Sequence, residues 1–168
     1  MEKEWSKISL LISYSGLYVF NTEIEHPFND WKDKHVEQGF SWREGSVSFG
    51  ALSNWKCEVI VSRKDSIMLN DDSIRSIVVP FNVRDEGITV CSVMTDEYVF
   101  PVPKGSYELL FEAILIEPGE DDDPSNGLFP VRYELTFINA ENPYPRILKA
   151  DKELIPPQEF LMNAEPAI

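Results

Sequence analysis

Residues 106–116, S-Y-E-L-L-F-E-A-I-L-I, constrain the fold more than any other stretch. With the two-residue period of a β-strand, Tyr107, Leu109, Phe111, Ala113 and Leu115 share one face, and Leu110, Ile114 and Ile116 the other. A strand apolar on both sides needs cover on both sides, so it belongs in the middle of a sheet. It runs into E-P-G-E-D-D-D at 117–123, five acids in seven residues with no base. No core holds that charge, so solvent or a cationic partner must satisfy it.

The chain on either side reads mostly as further strands. Ile8, Leu10, Ile12 and Tyr14 alternate with polar residues, and the pattern resumes at Leu17-Tyr18-Val19-Phe20, which predicts two strands joined by a tight turn at Ser15-Gly16. One helix is predicted at about 29–38, with Asn29 or Asp30 as its cap, Trp31 and Val36 on adjoining helical positions and Gly39 at its left-handed end. From Glu44 onward strands follow at 46–49, 57–61, 77–83, 88–94 and 98–102, the last an edge strand because Pro101 and Pro103 cannot donate to a ladder. Val131, Tyr133, Leu135 and Phe137 then alternate with Arg132, Glu134 and Thr136, a partner strand with one wet face. Many short strands with almost no helix predict an all-β protein, an antiparallel β-sandwich ahead of a barrel.

The predicted sandwich domain spans 1–138. Residues 139–168 hold five of the twelve prolines and scattered apolar residues, which predicts an extended C-terminal arm wrapping the body or a partner, with a short helix starting at Pro157.

A chain of 168 residues buries enough surface to fold without disulfide or metal staples. Cys57 and Cys91 both lie in apolar strand-like runs and read as buried thiols, a usage that suits a reducing compartment. No run approaches the roughly 20 apolar residues of a membrane span, and the first residues lack a signal-peptide pattern, so a cytoplasmic location is expected. His26 and His35 have no ligand at a useful spacing, and no nucleophile-elbow, P-loop, dinucleotide-binding or zinc-protease motif occurs. The expectation is therefore a non-catalytic protein with no cofactor and no metal. Net charge is −14 and is unevenly placed: residues 1–84 carry 12 acids and 10 bases, residues 85–168 carry 17 acids and 5 bases. Such a field repels nucleic acid and attracts basic protein surfaces or divalent cations.

Several pieces together resemble the competence protein J (ComJ) or nuclease-inhibitor family: Ile12-Ser13-Tyr14 with Val19-Phe20, Asp30-Trp31 with Gly39, Val79-Pro80-Phe81 with Val83, Gly87-Ile88 with Ser92-Val93-Met94, and Pro103-Lys104-Gly105 with Tyr107 and Leu109. The resemblance covers about residues 8–116 and fades through the acidic loop. It implies inhibition of a nuclease, or immunity against a nuclease toxin, with a cognate basic nuclease as the partner.

Charge supports that expectation independently, because a nuclease is basic where it grips the phosphate backbone. Glu117, Glu120, Asp121, Asp122 and Asp123 are the candidate partner-binding residues, with Asp30 and Trp31 of the predicted helix as a second patch. Trp31 reads more readily as a ring packed onto the sheet, and Trp42 and Trp55 as core or edge packing. The alternative is a calcium-dependent β-sandwich binding module, using residues 120–123 and 70–72. The EF-hand pattern itself fails there, because Pro124 stands at a ligand position and Tyr133 where a glutamate is required.

Overall fold

The computed structural model describes residues 2–167. In chain order its elements are β1 (Lys3–Glu4), β2 (Ile8–Leu11), β3 (Gly16–Asn21), α1 (Asp33–Gln38), β4 (Phe40–Arg43), β5 (Ser46–Gly50), β6 (Lys56–Lys64), β7 (Ser73–Val83), β8 (Ile88–Cys91), β9 (Tyr98–Phe100), β10 (Gly105–Leu115), β11 (Val131–Asn139) and β12 (Arg146–Lys149). They form a β-sandwich. One sheet runs β1-β6-β11-β10-β7-β12 with β2 also on β6, and the other runs β4-β5-β3-β8-β9. Every pair is antiparallel except β6 with β11, which is parallel. Among the described residues no helix is long and apolar enough to cross a membrane.

The strand predicted to be central is central: β10 pairs with β7 on one side and β11 on the other. Its inner face, Tyr107, Leu109, Phe111 and Ala113, is fully buried against the second sheet, and there Phe111 stacks on Phe49 at 4.3 Å and on Tyr133 at 5.5 Å. Its outer face is mixed rather than apolar. Leu110 joins Val78 and Ile138 beneath Ile67 and Leu69 of the β6–β7 crossover. Glu108 receives both ends of the Arg146 guanidinium, at 2.5 and 3.0 Å, and Glu112 accepts the Asn70 amide at 2.9 Å. These acids are tolerated inside because each is given donors. Leu115, expected on the buried face, is half exposed at the end of the strand, past a register shift between Ala113 and Ile114.

Local readings of the first half need correction. β2 and β3 are not a hairpin. Ser13 is held by the Ser92 hydroxyl and by the Val93 carbonyl, Tyr14 and Ser15 take left-handed conformations, and the chain crosses from one sheet to the other. The helix begins at Asp33, not Asn29, because the proposed caps are used elsewhere. Asn29 donates to the Ser41 and Ser46 carbonyls and accepts from Arg43, while the Asp30 carboxylate accepts the Glu165 amide at 3.0 Å. Gly39 does end the helix at φ 90°, and a Cβ there would meet Ile77 and Leu154 at 2.8 and 2.9 Å. β4 was not foreseen, and Met94 lies beyond the end of β8 in a left-handed turn.

The arm is extended and forms no helix after Pro157. β12 adds to the β7 edge. Further on, Leu161 exchanges two hydrogen bonds of 3.0 Å with the Gln38 side chain, and Ala164 donates to the Trp42 carbonyl at 2.9 Å. These bonds take the backbone groups a helix would need. Between them Asp151 clamps Arg75 of β7 with two contacts of 2.9 Å, and Arg75 also donates to the Gly50 carbonyl of the opposite sheet at 3.1 Å. Arg75 is 4% exposed. Asp151→Ala leaves this buried cation with only the Gly50 carbonyl and the more distant Glu153 carboxylate at 3.8 Å, so unfolding free energy in urea should fall by about 3 kcal/mol, the lower end for a broken buried pair.

Candidate functional site

One end of the sandwich is predominantly acidic, with Lys56, Lys152 of the arm and the lysines of the α1 segment reaching it beside the acidic loops. The strand directions bring residues 12–15, 51–55, 70–72, 92–97 and 116–130 to the end where β2 and β10 stop and β3, β6, β7 and β11 begin. These five loops contain Asp71, Asp72, Asp96, Glu97, Glu117, Glu120, Asp121, Asp122 and Asp123 and no lysine, arginine or histidine. The opposite end mixes signs, as in the Lys104–Asp85 pair at 3.3 Å.

Within the 116–130 loop the five predicted acids divide into two kinds. Asp122 is turned inward, where it accepts from the Trp55 indole and from the Gly119 amide, both at 2.7 Å, with the Lys56 ammonium at 3.3 Å. The Gly119 bond, then those of Trp55 and Lys56, hold its carboxyl below the usual carboxylate range. Asp123 caps a single 3₁₀ turn, Pro124–Asn126, accepting from Ser125 at 2.9 Å and from the Asn126 side chain at 2.6 Å, and it too is held low. The Ser53 hydroxyl donates to the Gly127 carbonyl at 3.0 Å, so the loop is fastened to residues 53–56 at two points. Glu117, Glu120 and Asp121 remain, exposed and without hydrogen-bond or ion-pair partners among the described residues. Asp122 and Asp123 therefore shape the loop, while the other three acids face solvent.

The second patch divides as well. Asp30 secures the arm through Glu165 and stands apart from the acidic loop. Trp31 lies outside the helix, half buried, its indole donating to the Ser48 hydroxyl at 2.9 Å and its ring lining a cleft with Tyr14, Val36 and Glu153. Trp42 donates to the Pro80 carbonyl at 2.7 Å and packs on the core. Trp55 has the unforeseen task of holding Asp122. For the calcium alternative, no group of three or more His, Cys, Asp or Glu side chains converges to hold a metal ion among the described residues.

Sequence reasoning assigned Tyr14 and Met94 to strand patterns, yet both are left-handed turn residues at this end, 77% and 91% exposed. The signal available was the polar flanking sequence, Ser13, Ser15 and Gly16 around one, Thr95, Asp96 and Glu97 around the other. Their turns are stitched together through Ser13, and the first is tied onward by the Ser15 amide to Asn54 at 2.7 Å, next to Trp55.

The fold and this end define a β-sandwich that presents anionic loops on a fastened frame. A family model for competence protein J (ComJ) matches residues 9–138. The DNA-entry nuclease inhibitor of Bacillus subtilis (strain 168) is 34% identical over 109 residues, which is 65% of this chain and 82% of that relative. The crystal structure of ComJ, inhibitor of the DNA degrading activity of NucA, from Bacillus subtilis, superposes with a TM-score of 0.70 at 28% identity, covering 83% of this chain and 99% of that one. A chain described as Crocagin biosynthetic gene J shares the fold at a TM-score of 0.51 and 15% identity, over 84% of this chain and 99% of that one. The chain belongs to the competence protein J (ComJ) family. Residues 139–168 lie beyond the family match.

The clamp on Asp122 has a pH signature. A carboxyl depressed in the folded state gives stability that is present above its unfolded pKa and lost as pH falls through the folded one. The Trp55 indole N–H resonance should thus stay constant while ordinary carboxylates titrate and move only at lower pH. Trp55→Phe, which keeps a ring but removes the donor, should speed exchange of the Gly119 amide about tenfold. An indole midpoint at an ordinary aspartate value would contradict the clamp.

Proposed function

We propose that this protein is a non-catalytic inhibitor that binds a basic, DNA-degrading nuclease and blocks its nucleic-acid site with the acidic end of the sandwich. The observation that carries this reading is the charge of five loops at that end, nine acids and no base, which outweigh Lys56, Lys152 and the α1 lysines beside them. Membership of the ComJ family supports the partner class, since relatives bear the names of a DNA-entry nuclease inhibitor and an inhibitor of the DNA degrading activity of NucA. An immunity role against a nuclease toxin falls within the same chemistry.

The physics is competition. A nuclease holds phosphates with lysine and arginine, and DNA binding to such a groove is driven largely by release of counterions. An anionic surface is drawn to the same groove, and complementary potentials raise the association rate far above that of neutral partners. The fastened loop matters here because a flexible anionic tail would lose conformational freedom on docking, whereas a held loop loses less.

Glu117, Glu120 and Asp121 supply steering without being needed to fold the loop. Replacing them by Gln, Gln and Asn should lower the association rate with the host's NucA homologue roughly tenfold at about 0.05 M salt, and the deficit should shrink at about 0.5 M, where screening shortens the reach of the charges. Stopped-flow association and a DNA-cleavage assay read both effects. Inhibition and association rate unchanged from wild type would remove these acids from the site.

A further inference from the structure

Steering by charge sets how fast a complex forms, and residence depends more on a desolvated centre. The acidic end also presents exposed apolar side chains. Tyr14 is 77% exposed and Met94 91% exposed, on neighbouring left-handed turns at φ 53° and φ 62°. Side chains rarely adopt this backbone, and here each turn is held by bonds that leave the side chain itself uncommitted. The Ser92 hydroxyl donates to the Gly16 carbonyl at 2.8 Å, the Ser92 amide donates to the Thr95 hydroxyl at 2.9 Å, and the Ala51 amide donates to the Ser15 carbonyl at 2.8 Å. The frame is polar and satisfied, while a phenol ring and a thioether stand in water.

We infer that Tyr14 and Met94 are the anchor of the interface, entering the basic phosphate-binding groove of the nuclease while the acids form the rim; the inference rests on the nuclease-binding reading above. The occupant follows from charge. Asp96 and Glu97 follow Met94 directly, and the Asn54–Trp55–Asp122 contacts connect the Tyr14 turn to the loop bearing Glu117, Glu120 and Asp121. An apolar pair flanked by Asp96 and Glu97 on one side and tied to the acidic loop on the other fits a surface made of lysine and arginine. Their alkyl stems pack on a thioether, their cationic heads sit over a phenol ring, and their charges reach the acidic rim. An uncharged apolar partner would leave that rim desolvated without compensation.

The test uses the full chain and the host's NucA homologue. Tyr14→Gly with Met94→Gly removes both side chains, and because glycine suits a positive φ the thermal unfolding midpoint should stay equal or rise. The double variant should dissociate at least tenfold faster than wild type at both low and high salt, while Tyr14→Phe with Met94→Leu stays within about threefold because the apolar volume is kept. The charge-neutralised triple variant should instead change mainly the association rate. A folded double glycine variant that dissociates at the wild-type rate overturns the inference and leaves the nuclease-binding reading standing if the triple variant still associates slowly. Wild-type protein that does not bind the nuclease overturns both.

Discussion

Two sheets and the loop end meet in one column of aromatic contacts. Phe49 of β5 lies on Phe111 of β10 at 4.3 Å with an interplanar angle of 7°, and Phe111 lies on Tyr133 of β11 at 5.5 Å. The Tyr133 hydroxyl, deep in the core, accepts the Leu52 amide at 2.9 Å, and burial pushes its pKa well above the ordinary phenol value, so it stays neutral. Such rings bury about 150–250 Å² each, and an aromatic pair adds about 0.5–1.5 kcal/mol beyond that burial. Leu52 opens the segment that carries Ser53, Asn54 and Trp55, and each of these holds a different part of the acidic end. The rigidity of the surface is therefore continuous with the packing of the core.

That continuity explains how a strongly acidic loop can be ordered. Five acids in seven residues repel one another, and the cost is met by turning Asp122 inward onto Trp55 and Gly119 and giving Asp123 donors within its own turn, while three stay in solvent. The result is a display with fixed shape and unpaired outer charge. The apolar pair at Tyr14 and Met94 shares the same scaffolding through Ser13 and Ser92. The arm closes the β7 edge with β12, lies along α1 and β4 through Gln38 and Trp42, and reaches the acidic end with Asp151–Glu153 beside Leu52 and Phe129. It stabilises the sandwich through the Arg75–Asp151 clamp and leaves the acidic end uncovered by any strand.

What could be read from the sequence was what periodicity and local chemistry control. The central place of 106–116 followed from apolar residues on both faces, the edge position of 98–100 from its prolines, and the helix stop from Gly39, whereas the face of β11 read as wet is only partly so, with Thr136 buried. The contacts that decide the site are between residues far apart in the chain and leave no periodic trace. Trp55 binds Asp122 across 67 positions, and Asp30 binds Glu165 across 135. Composition could not separate the two hydrogen-bonded acids from the three outward ones, nor tell that Asp30 accepts the arm's Glu165 amide. Tyr14 and Met94 were read as strand residues because alternation alone cannot report a left-handed turn beyond a strand's end.

The central claim is that the acidic loop end, and not a face or the opposite end of the sandwich, meets the nuclease. Amide hydrogen exchange of the full chain with and without the host's NucA homologue tests it most directly. The account predicts new protection confined to residues 12–16, 51–56, 92–97 and 116–130. Protection at 84–87, 101–104 and the arm, with those four segments unchanged, would contradict it.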